Sequence, residues 1–310
     1  MQAYDLNYIG IGLATGGGVG AARYDGKTIT IDDWSAEKTD NLRTYATNDE
    51  GNRTDIVAVW SYHNFDYSWY IEPVAAGKPI WAKIITENFP TVPYVSASAS
   101  RPIYDAENRL LGMSAIDIHL PKISDFLRAT DIAEAGRVFI LERDGALIAT
   151  STDEQPFKLV DDTVKRLYAI ESVDTVVRAI AQHFEQNEEL QSIEEKVDLR
   201  LEVEGETHFI HAEPWRDSYG LDWVVITSVP ESTFMGQINR NTRMTIALCL
   251  GALGLTSGLG LFAARWIARP VLRLNQASEA MASGNLSQTV EKSGIRELDS
   301  LSQSFNHMAE

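Results

Sequence analysis

Two groups of residues in this sequence have side chains that could do chemistry. One is an aromatic-rich segment at residues 62–81, YHNFDYSWYIEPVAAGKPIW, and the other is a set of six scattered histidines. Aromatic residues at this density usually belong to a core, where each buries a large area. Tyr and Trp faces also attract cations such as ammonium groups. The segment is therefore a candidate for packing or for binding a cation.

The histidines do not point to an enzyme. Only His208 and His211 are close enough in sequence to suggest a metal pair, and residues three apart on a strand point to opposite faces. No G-x-S-x-G, P-loop or H-E-x-x-H motif occurs. The glycine-rich stretch at residues 16–20 lies between predicted strands, without the helix N-terminus that a phosphate would need. We predict a turn there, and a chain without catalytic residues, metal or cofactor.

Composition narrows the choice of partner and compartment. The chain has 310 residues, a formal net charge of −17 and 44% hydrophobic residues. Two or three folded units are expected at this length, and nucleic acid is excluded as a partner by the negative charge. The single cysteine, Cys249, lies in an apolar run, so no disulfide or cysteine-based zinc site is expected in the soluble parts.

That apolar run, MTIALCLGALGLTSGLGLFAA at residues 244–264, contains no charged residue. At about 1.5 Å per residue it is long enough to cross a hydrocarbon core of about 30 Å. Arg243 and Arg265 flank it, and Trp266 stands where an interfacial aromatic would lie. We predict one transmembrane helix. The first residues do not resemble a signal peptide, so we expect a further membrane helix upstream of Met1.

The residues before the span predict two α+β units in tandem. In the first, strands flank an Asp25-Gly26 hairpin, and a helix at residues 121–129 presents Ile123, Phe126 and Leu127 on one face. In the second, a hairpin with its turn at residues 144–145 precedes a mostly helical region at 164–193 and then closing strands. We expect the boundaries at residues 1–128 and 129–239.

After the span, a helix is predicted to start at Arg269-Pro270, followed by a connector and a second helix. The first helix has four apolar residues on one face, namely Val271, Leu274, Ala277 and Met281. The second has a coiled-coil seam formed by Leu298, Leu301, Phe305 and Met308. Such narrow apolar stripes are buried best in a dimer, so we expect a homodimer.

In this order, the features resemble those of double-Cache receptors with a HAMP domain, which are bacterial signal-transduction sensors. The most specific motifs are WY at 69–70, GKPIW at 77–81, SRPIYD at 100–105, IDI at 116–118 and the HAMP-like ARPVLRLNQASEAMASGNL. The resemblance covers nearly the whole chain. It implies an α+β fold with two tandem PAS-like (Cache) modules on antiparallel sheets, one transmembrane helix, and a truncated HAMP domain at 265–310. It also implies an output domain beyond Glu310, such as a kinase, cyclase, phosphatase or chemotaxis signalling domain.

By this resemblance, receptors that bind amino acids carry a Tyr, an Arg five residues later, a Trp-Tyr pair and a downstream Asp in the distal module. Here Tyr62, Trp69, Tyr70 and Asp117 match, whereas Tyr67 stands at the Arg position. Because a guanidinium grips a carboxylate through two parallel hydrogen bonds, its loss weakens the case for recognition of an α-carboxylate.

The retained aromatic residues and aspartate suit a small amine or amino-acid-like ligand in the distal module. The predicted ligand-binding residues are Tyr62, Tyr67, Trp69, Tyr70, Trp81 and Asp117. Two alternatives remain open: a module that binds nothing and serves as a dimerisation scaffold, and a sensor for another small molecule such as a carboxylate.

The resemblance and the flanking charges together predict the orientation in the inner membrane. Residues before 244 are expected outside the cytoplasm and residues after 264 inside it, in agreement with the positive charges of Arg265, Arg269 and Arg273. A bound ligand would then shift the equilibrium between two arrangements of the sensor dimer, and the change would pass through the span into the HAMP helices.

Overall fold

The computed structural model describes residues 6–37, 39–89, 92–285, 287 and 289–309. The chain divides into two compact units, Met1–Phe234 and Met235–Glu310. The first unit holds two antiparallel β-sheets with their helices, and the second is helical. The predicted α+β fold class is confirmed.

Nine strands form the first sheet, in the order β5-β4-β3-β2-β1-β9-β8-β6, and β7 pairs with β8. The strands are β1 (Tyr8–Leu13), β2 (Gly18–Ala22), β3 (Thr30–Trp34), β4 (Leu42–Thr47), β5 (Arg53–Trp60), β6 (Ile80–Trp81), β7 (Ile85–Phe89), β8 (Val92–Tyr104) and β9 (Leu110–His119). The turn predicted at residues 16–20 is confirmed only for Gly16 and Gly17, because Gly18 and Gly20 belong to β2, and Asp25-Gly26 lies in the connection from β2 to β3.

Glycines in β1 and β2 leave room for an aromatic ring on the inner face of this sheet. Gly10 and Gly20 are partners across the two strands, and the Tyr8 ring lies over both. A Cβ on Gly10 would come within 2.5 Å of the Tyr8 hydroxyl oxygen, and a Cβ on Gly20 would overlap the same ring. These two positions therefore require glycine because of close approach by a ring, and not because of an unusual φ angle.

A short helix covers the inner face. Helix α1 (Ser68–Ala76) follows a single 3-10 turn, Asn64–Asp66, and buries Trp69 and Tyr70. The Trp69 ring extends to Gly12 on β1, where a Cβ would lie 2.6 Å from the ring. The helix ends at Gly77, whose left-handed φ of 63° lets its N–H close the last turn.

The predicted helix at residues 121–129 is present as α2 (Leu120–Arg128), followed by a short α3 (Asp131–Ala135). Its predicted apolar face is wrong in one residue, because Phe126 is 69% exposed while Ser124 is buried. Leu120 and Leu127 of α2 belong to one core together with residues of both sheets. The expected boundary after residue 128 therefore falls inside a shared core, and it stays a prediction.

The second sheet has five strands in the order β11-β10-β16-β15-β14, and a separate hairpin joins β12 to β13. The strands are β10 (Arg137–Glu142), β11 (Leu147–Thr150), β12 (Phe157–Val160), β13 (Thr163–Arg166), β14 (Val197–Val203), β15 (Glu206–Arg216) and β16 (Asp222–Pro230). The prediction of helix from residue 164 is wrong at its start. Helix α4 (Thr175–Gln186) begins only where Asp174 caps it by accepting the Val176 and Val177 N–H groups.

The apolar run lies within a single helix of 52 residues, α5 (Glu231–Ala282), of which Thr242–Ala282 is long and apolar enough to cross a membrane. The helix predicted to begin at Arg269-Pro270 is instead continuous with the span. Proline removes only one backbone hydrogen bond, the one that its nitrogen would make to the carbonyl of residue 266, and the helix on either side is intact.

Helix α6 (Arg296–Ala309) packs on the end of α5 within the same chain. The cluster between them contains Leu274, Ala277, Met281, Val290 and Phe305. The Asn306 amide fixes the connector by bonding both the N–H and the carbonyl of Val290, at 2.8 and 3.0 Å.

Only some residues of the two predicted apolar stripes are buried in this packing. Val271, Leu301 and Met308 remain 46%, 50% and 74% exposed. Their outward positions leave apolar surface on both helices for a further contact.

The close packing of the Tyr8 ring on Gly20 gives a first testable prediction. Gly20→Ala should lower the free energy of unfolding by about 1–3 kcal/mol, because the new methyl group must displace the Tyr8 ring. Thermal unfolding of the full chain in detergent measures the change. Ala21→Val, on the same strand but with its side chain on the other face, is the control and should stay within about 0.5 kcal/mol. Equal stability of Gly20→Ala and the parent would contradict the packing described.

Candidate ligand-binding site

A cavity of about 40 Å³ lies between the inner face of the first sheet and the segment that carries α1. Seven of its twelve lining residues are aromatic, and two are aspartates. The lining residues are Tyr8, Tyr24, Asp32, Leu42, Trp60, Tyr62, Tyr67, Trp69, Ile85, Tyr94, Ala115 and Asp117. We call this site the aromatic cavity. Its volume has room for about three water molecules, or for a group such as an ammonium.

Asp117 on β9 is one of two buried acids of the aromatic cavity, with 5% of its surface exposed. The Ser98 hydroxyl donates to its Oδ1 at 2.6 Å, and the Tyr94 hydroxyl donates to its Oδ2 at 2.9 Å. Burial nevertheless raises the pKa of Asp117 to about 6, because three hydroxyl donors compensate only part of the lost hydration. Nothing in the described part of the chain gives this carboxylate a cationic partner.

Asp32 on β3 is the second acid, with 1% of its surface exposed. Its carboxylate accepts hydrogen bonds from Thr44 at 2.7 Å and from the Tyr24 hydroxyl. Burial raises the pKa of Asp32 as well. A buried carboxylate without a countercharge costs free energy, so two of them in one cavity are typical of a binding site and unusual for a packing core.

The aromatic walls are held by specific contacts. Both the N–H and the carbonyl of Tyr62 bond the Asn41 amide, and the Tyr62 hydroxyl accepts a 2.9 Å hydrogen bond from the Trp69 indole. Tyr67 stacks on the Tyr62 ring with centroids 4.8 Å apart. Burial, together with Glu87 and Asp66, raises the pKa of Tyr67 to about 12. Tyr67 is thus a neutral ring at the Arg position of the family pattern.

The structure brings together four of the six predicted site residues: Tyr62, Tyr67, Trp69 and Asp117. Tyr70 is buried on another side of α1, with its ring against Phe65. Trp81 lies in the core shared by the two sheets, where its indole donates to Asp217 at 2.7 Å and its ring is 6.3 Å from Trp223. Neither Tyr70 nor Trp81 lines the aromatic cavity.

Sequence reasoning missed several residues of the site, chiefly Tyr8, Tyr24, Asp32, Trp60 and Tyr94. For Asp32 a signal was available. On β3 it alternates with Asp33 and shares a face with Trp34, and both Asp32 and Trp34 are buried. An acid on the inward face of a strand is rare enough to mark a site.

A larger cavity of about 570 Å³ lies in the second sheet's module, next to α4. Its cationic residue, Arg143, is already bonded to Asp222 and to the carbonyls of Leu190 and Ile193. The cation of this larger cavity is therefore already paired, whereas the aromatic cavity holds two buried acids, which makes the aromatic cavity the stronger candidate for a ligand site.

Among the described residues there is no group of three or more His, Cys, Asp or Glu side chains that could hold a metal ion. His208 is buried against the Ser228 hydroxyl, and His211 is exposed and pairs with Asp198. The two histidines lie on opposite faces of β15, as their spacing predicted.

The raised pKa of Asp117 predicts how stability depends on pH. Between its ordinary value of 3.8 and about 6, the folded state binds more protons than the unfolded state, so stability falls as pH rises through this window. Asp117→Asn removes this loss and should raise the free energy of unfolding at pH 7.5 by up to about 3 kcal/mol relative to the parent.

Thermal unfolding of the full chain in detergent at pH 4 and pH 7.5 tests this, and the gain should nearly vanish at pH 4. Asp55→Asn, an exposed acid on β5, is the control and should show no such dependence. A destabilised Asp117→Asn at both pH values would mean that Asp117 serves only the packing of the sheet.

Comparison with known proteins adds a family match at the C-terminal end. Residues 262–310 match the HAMP domain. The methyl-accepting chemotaxis proteins TlpA and McpB of Bacillus subtilis (strain 168) are 24% and 23% identical to this chain over 256 and 246 residues, which is 80% and 77% of its length. The chain spans about a third of these relatives, 33% and 31%.

Solved structures of chemoreceptor domains are more distant. One titled methyl-accepting chemotaxis protein X has 17% identity and a TM-score of 0.44, and covers 72% of this chain and 74% of its own. The ligand-binding domain of the Pseudomonas aeruginosa PAO1 amino acid chemoreceptor PctB, in complex with L-Arg, has 15% identity and a TM-score of 0.40, with coverage of 73% and 71%. At these TM-scores, neither structure defines the ligand of this chain.

The long apolar helix and the C-terminal helical pair agree with the HAMP match. The relatives are methyl-accepting chemotaxis proteins, and their alignments cover most of the chain. Residues 262–310 are a HAMP domain, and the chain as a whole is similar to methyl-accepting chemotaxis proteins.

Proposed function

We propose that this chain is the sensing part of a transmembrane chemoreceptor and that its aromatic cavity binds a small amine or amino-acid-like ligand. The observation that carries the proposal is Asp117, a buried carboxylate in a cavity walled by Tyr and Trp rings, to which none of the described residues supplies a cationic partner. An ammonium group would supply the missing charge and bond to the carboxylate, while the rings would contribute cation–π attraction.

The lining of the cavity favours an amine over an α-amino acid. Neither arginine nor lysine is among the twelve lining residues, and Tyr67 occupies the Arg position. An α-carboxylate would therefore meet aromatic rings and aspartates in place of a guanidinium. A carboxylate as the only charged group of the ligand is disfavoured for the same reason.

Signalling would use the direct junction between the second sheet and the long helix. Strand β16 ends at Pro230, and α5 begins at the next residue, Glu231. We propose that ligand binding shifts a two-state equilibrium of the sensor, that α5 conveys this shift across the membrane, and that the HAMP helices repack in response. The receptor is proposed to act as a homodimer, which light scattering of the full chain in detergent would test.

Binding to Asp117 can be tested by calorimetry of the full chain in lipid nanodiscs against a panel of amines and amino acids. At least one amine should bind, and Asp117→Ala should weaken its affinity at least tenfold because the buried charge partner is lost. Asp66→Asn is the matched control, since Asp66 is 74% exposed and does not line the cavity.

Trp81→Phe should also leave affinity unchanged, because Trp81 lies in the shared core. A loss of affinity in this variant would mean that Trp81 contributes to ligand binding. Undiminished amine binding in Asp117→Ala would rule out the role given to the carboxylate. If the panel gave no binding at all, the scaffold alternative would be favoured.

The proposed orientation places the sheets outside the cytoplasm and the HAMP helices inside it. In a Cys249→Ser background, Glu107→Cys should react with a membrane-impermeant maleimide in intact cells. Glu291→Cys should react only after permeabilisation. Both positions are exposed, with 67% and 86% of their side chains accessible. Labelling of Glu291→Cys in intact cells would contradict the orientation.

A further inference from the structure

The two acids of the aromatic cavity lie on either side of the Tyr8 ring, which packs on the glycines of β1 and β2. Asp117 is the partner of Tyr8 across β9 and β1, and Asp32 is the partner of Gly20 across β3 and β2. The Tyr8 ring lies over Gly20 and its neighbour Gly10, and so extends from the row of Asp117 toward the row of Asp32. All these residues point to the same face of the sheet, because directly paired residues in antiparallel strands share a face.

The two ends are built alike. Each carboxylate accepts hydrogen bonds from a tyrosine and from a Ser or Thr hydroxyl, Tyr94 and Ser98 for Asp117, and Tyr24 and Thr44 for Asp32, and Ser96 adds a longer bond of 3.5 Å to Asp117. The two tyrosine rings meet edge to face with centroids 5.6 Å apart. Hydroxyl donors orient the carboxylates without neutralising them, so each end keeps its capacity to pair with a cation.

The histidine beside Tyr94 does not supply that cation. His119 stacks on the Tyr94 ring, with ring centroids 5.4 Å apart, and burial together with Lys122 lowers the pKa of His119 to about 4. It is therefore neutral at physiological pH. Among the residues that line the cavity, both formal charges are negative.

We propose that the ligand of the aromatic cavity is a linear dication, a short aliphatic diamine, with one ammonium at Asp117 and the other at Asp32. This inference rests on the proposed function and specifies the ligand class of the same site. The methylene chain would lie on the Tyr8 ring, between the Tyr and Trp walls. The polar ends and the apolar middle of the cavity match the polar ends and apolar middle of a diamine.

The spacing of the two acids suits a short chain. Three strand spacings and an offset of two residues separate their Cα atoms by roughly 16 Å on a flat sheet, and by less on a curved one. The two side chains rise roughly perpendicular to the sheet and shorten the gap only where the sheet curves, whereas two charge-assisted hydrogen bonds of about 2.8 Å each take up part of it. About 10 Å at most then remains between the two ammonium nitrogens, which corresponds to at most about seven methylene groups. Since the cavity encloses about 40 Å³, the rings at its rim, such as the half-buried Tyr67, must move apart to admit the chain.

A matched ligand series tests the proposal on the unmodified full chain in nanodiscs by calorimetry. The three ligands are 1,4-diaminobutane, 1-aminobutane and 4-aminobutanoate, which share a four-carbon chain and differ in the group at the second end. The diamine should bind at least tenfold more tightly than the monoamine, and the amino acid should bind most weakly because its carboxylate would face Asp32. Varying the diamine length should reveal an optimum, whereas purely apolar binding would strengthen steadily with length.

Two variants test which aspartate binds each ammonium group of the diamine. Asp32→Asn should weaken the diamine at least tenfold and leave the monoamine within about twofold, whereas Asp117→Asn should weaken both. Each asparagine keeps a hydrogen-bonding group of the same size, and thermal unfolding would confirm that each variant is folded. If a variant did not fold, the ligand series on the parent protein would still decide the matter.

Two negative results are distinguishable. Equal affinity for the diamine and the monoamine, with both dependent on Asp117, would overturn the dication and preserve the proposed amine sensor. An equal weakening of the two ligands by Asp32→Asn would likewise overturn the dication. Absence of binding by every amine in the series would count against the proposed function itself.

Discussion

The structure of the first sheet depends on the burial of two acids to which no described residue supplies a countercharge. Asp117 and Asp32 lie within an apolar, aromatic environment, and the hydrogen bonds that the described residues give their carboxylates come from hydroxyl groups. A fold selected for stability alone would replace such acids by apolar residues of similar volume. Their retention makes the inner face less stable by itself, and it is the basis for the proposed preference for a cation. The surrounding rings, the glycines beneath Tyr8 and the placement of α1 are all arranged around this constraint.

Periodicity predicted most of the fold, since strands, turns and the apolar span carry strong local signals. Prediction from periodicity failed where tertiary contacts determine where an element begins and which residues it buries. The helix predicted from residue 164 begins only at Thr175, after the Asp174 cap, because residues 163–166 form β13 and pair with β12. Phe126 has the right spacing for a core face, yet the core of α2 is completed by Ser124, whose hydroxyl bonds the Thr150 N–H. Pro270 signals a helix start in isolation, but the preceding span already supplies a formed helix.

The candidate site could be predicted only in part, for a reason of geometry. The residues at 62–70 and Asp117 were identified through a family pattern that joins segments distant in sequence. Tyr8, Asp32 and Tyr94 come from three further strands, and only the sheet order places them in one cavity. Trp81 illustrates the converse case. Its aromatic character and its motif suggest a ligand contact, whereas in the structure its indole bonds Asp217 and its ring lies outside the lining of the aromatic cavity.

Helix α2 contributes Leu120 and Leu127 to a core that also contains Val95 of the first sheet and Ile148 of the second. The two modules therefore share part of their hydrophobic core, and some apolar side chains of each module are buried by the other. Swapping ligand specificities between receptors by grafting the first sheet alone would cut through this interior and expose its apolar residues. A chimaera that keeps its solubility must exchange both sheets together, with the junction placed after Pro230, where the last strand passes into the long helix.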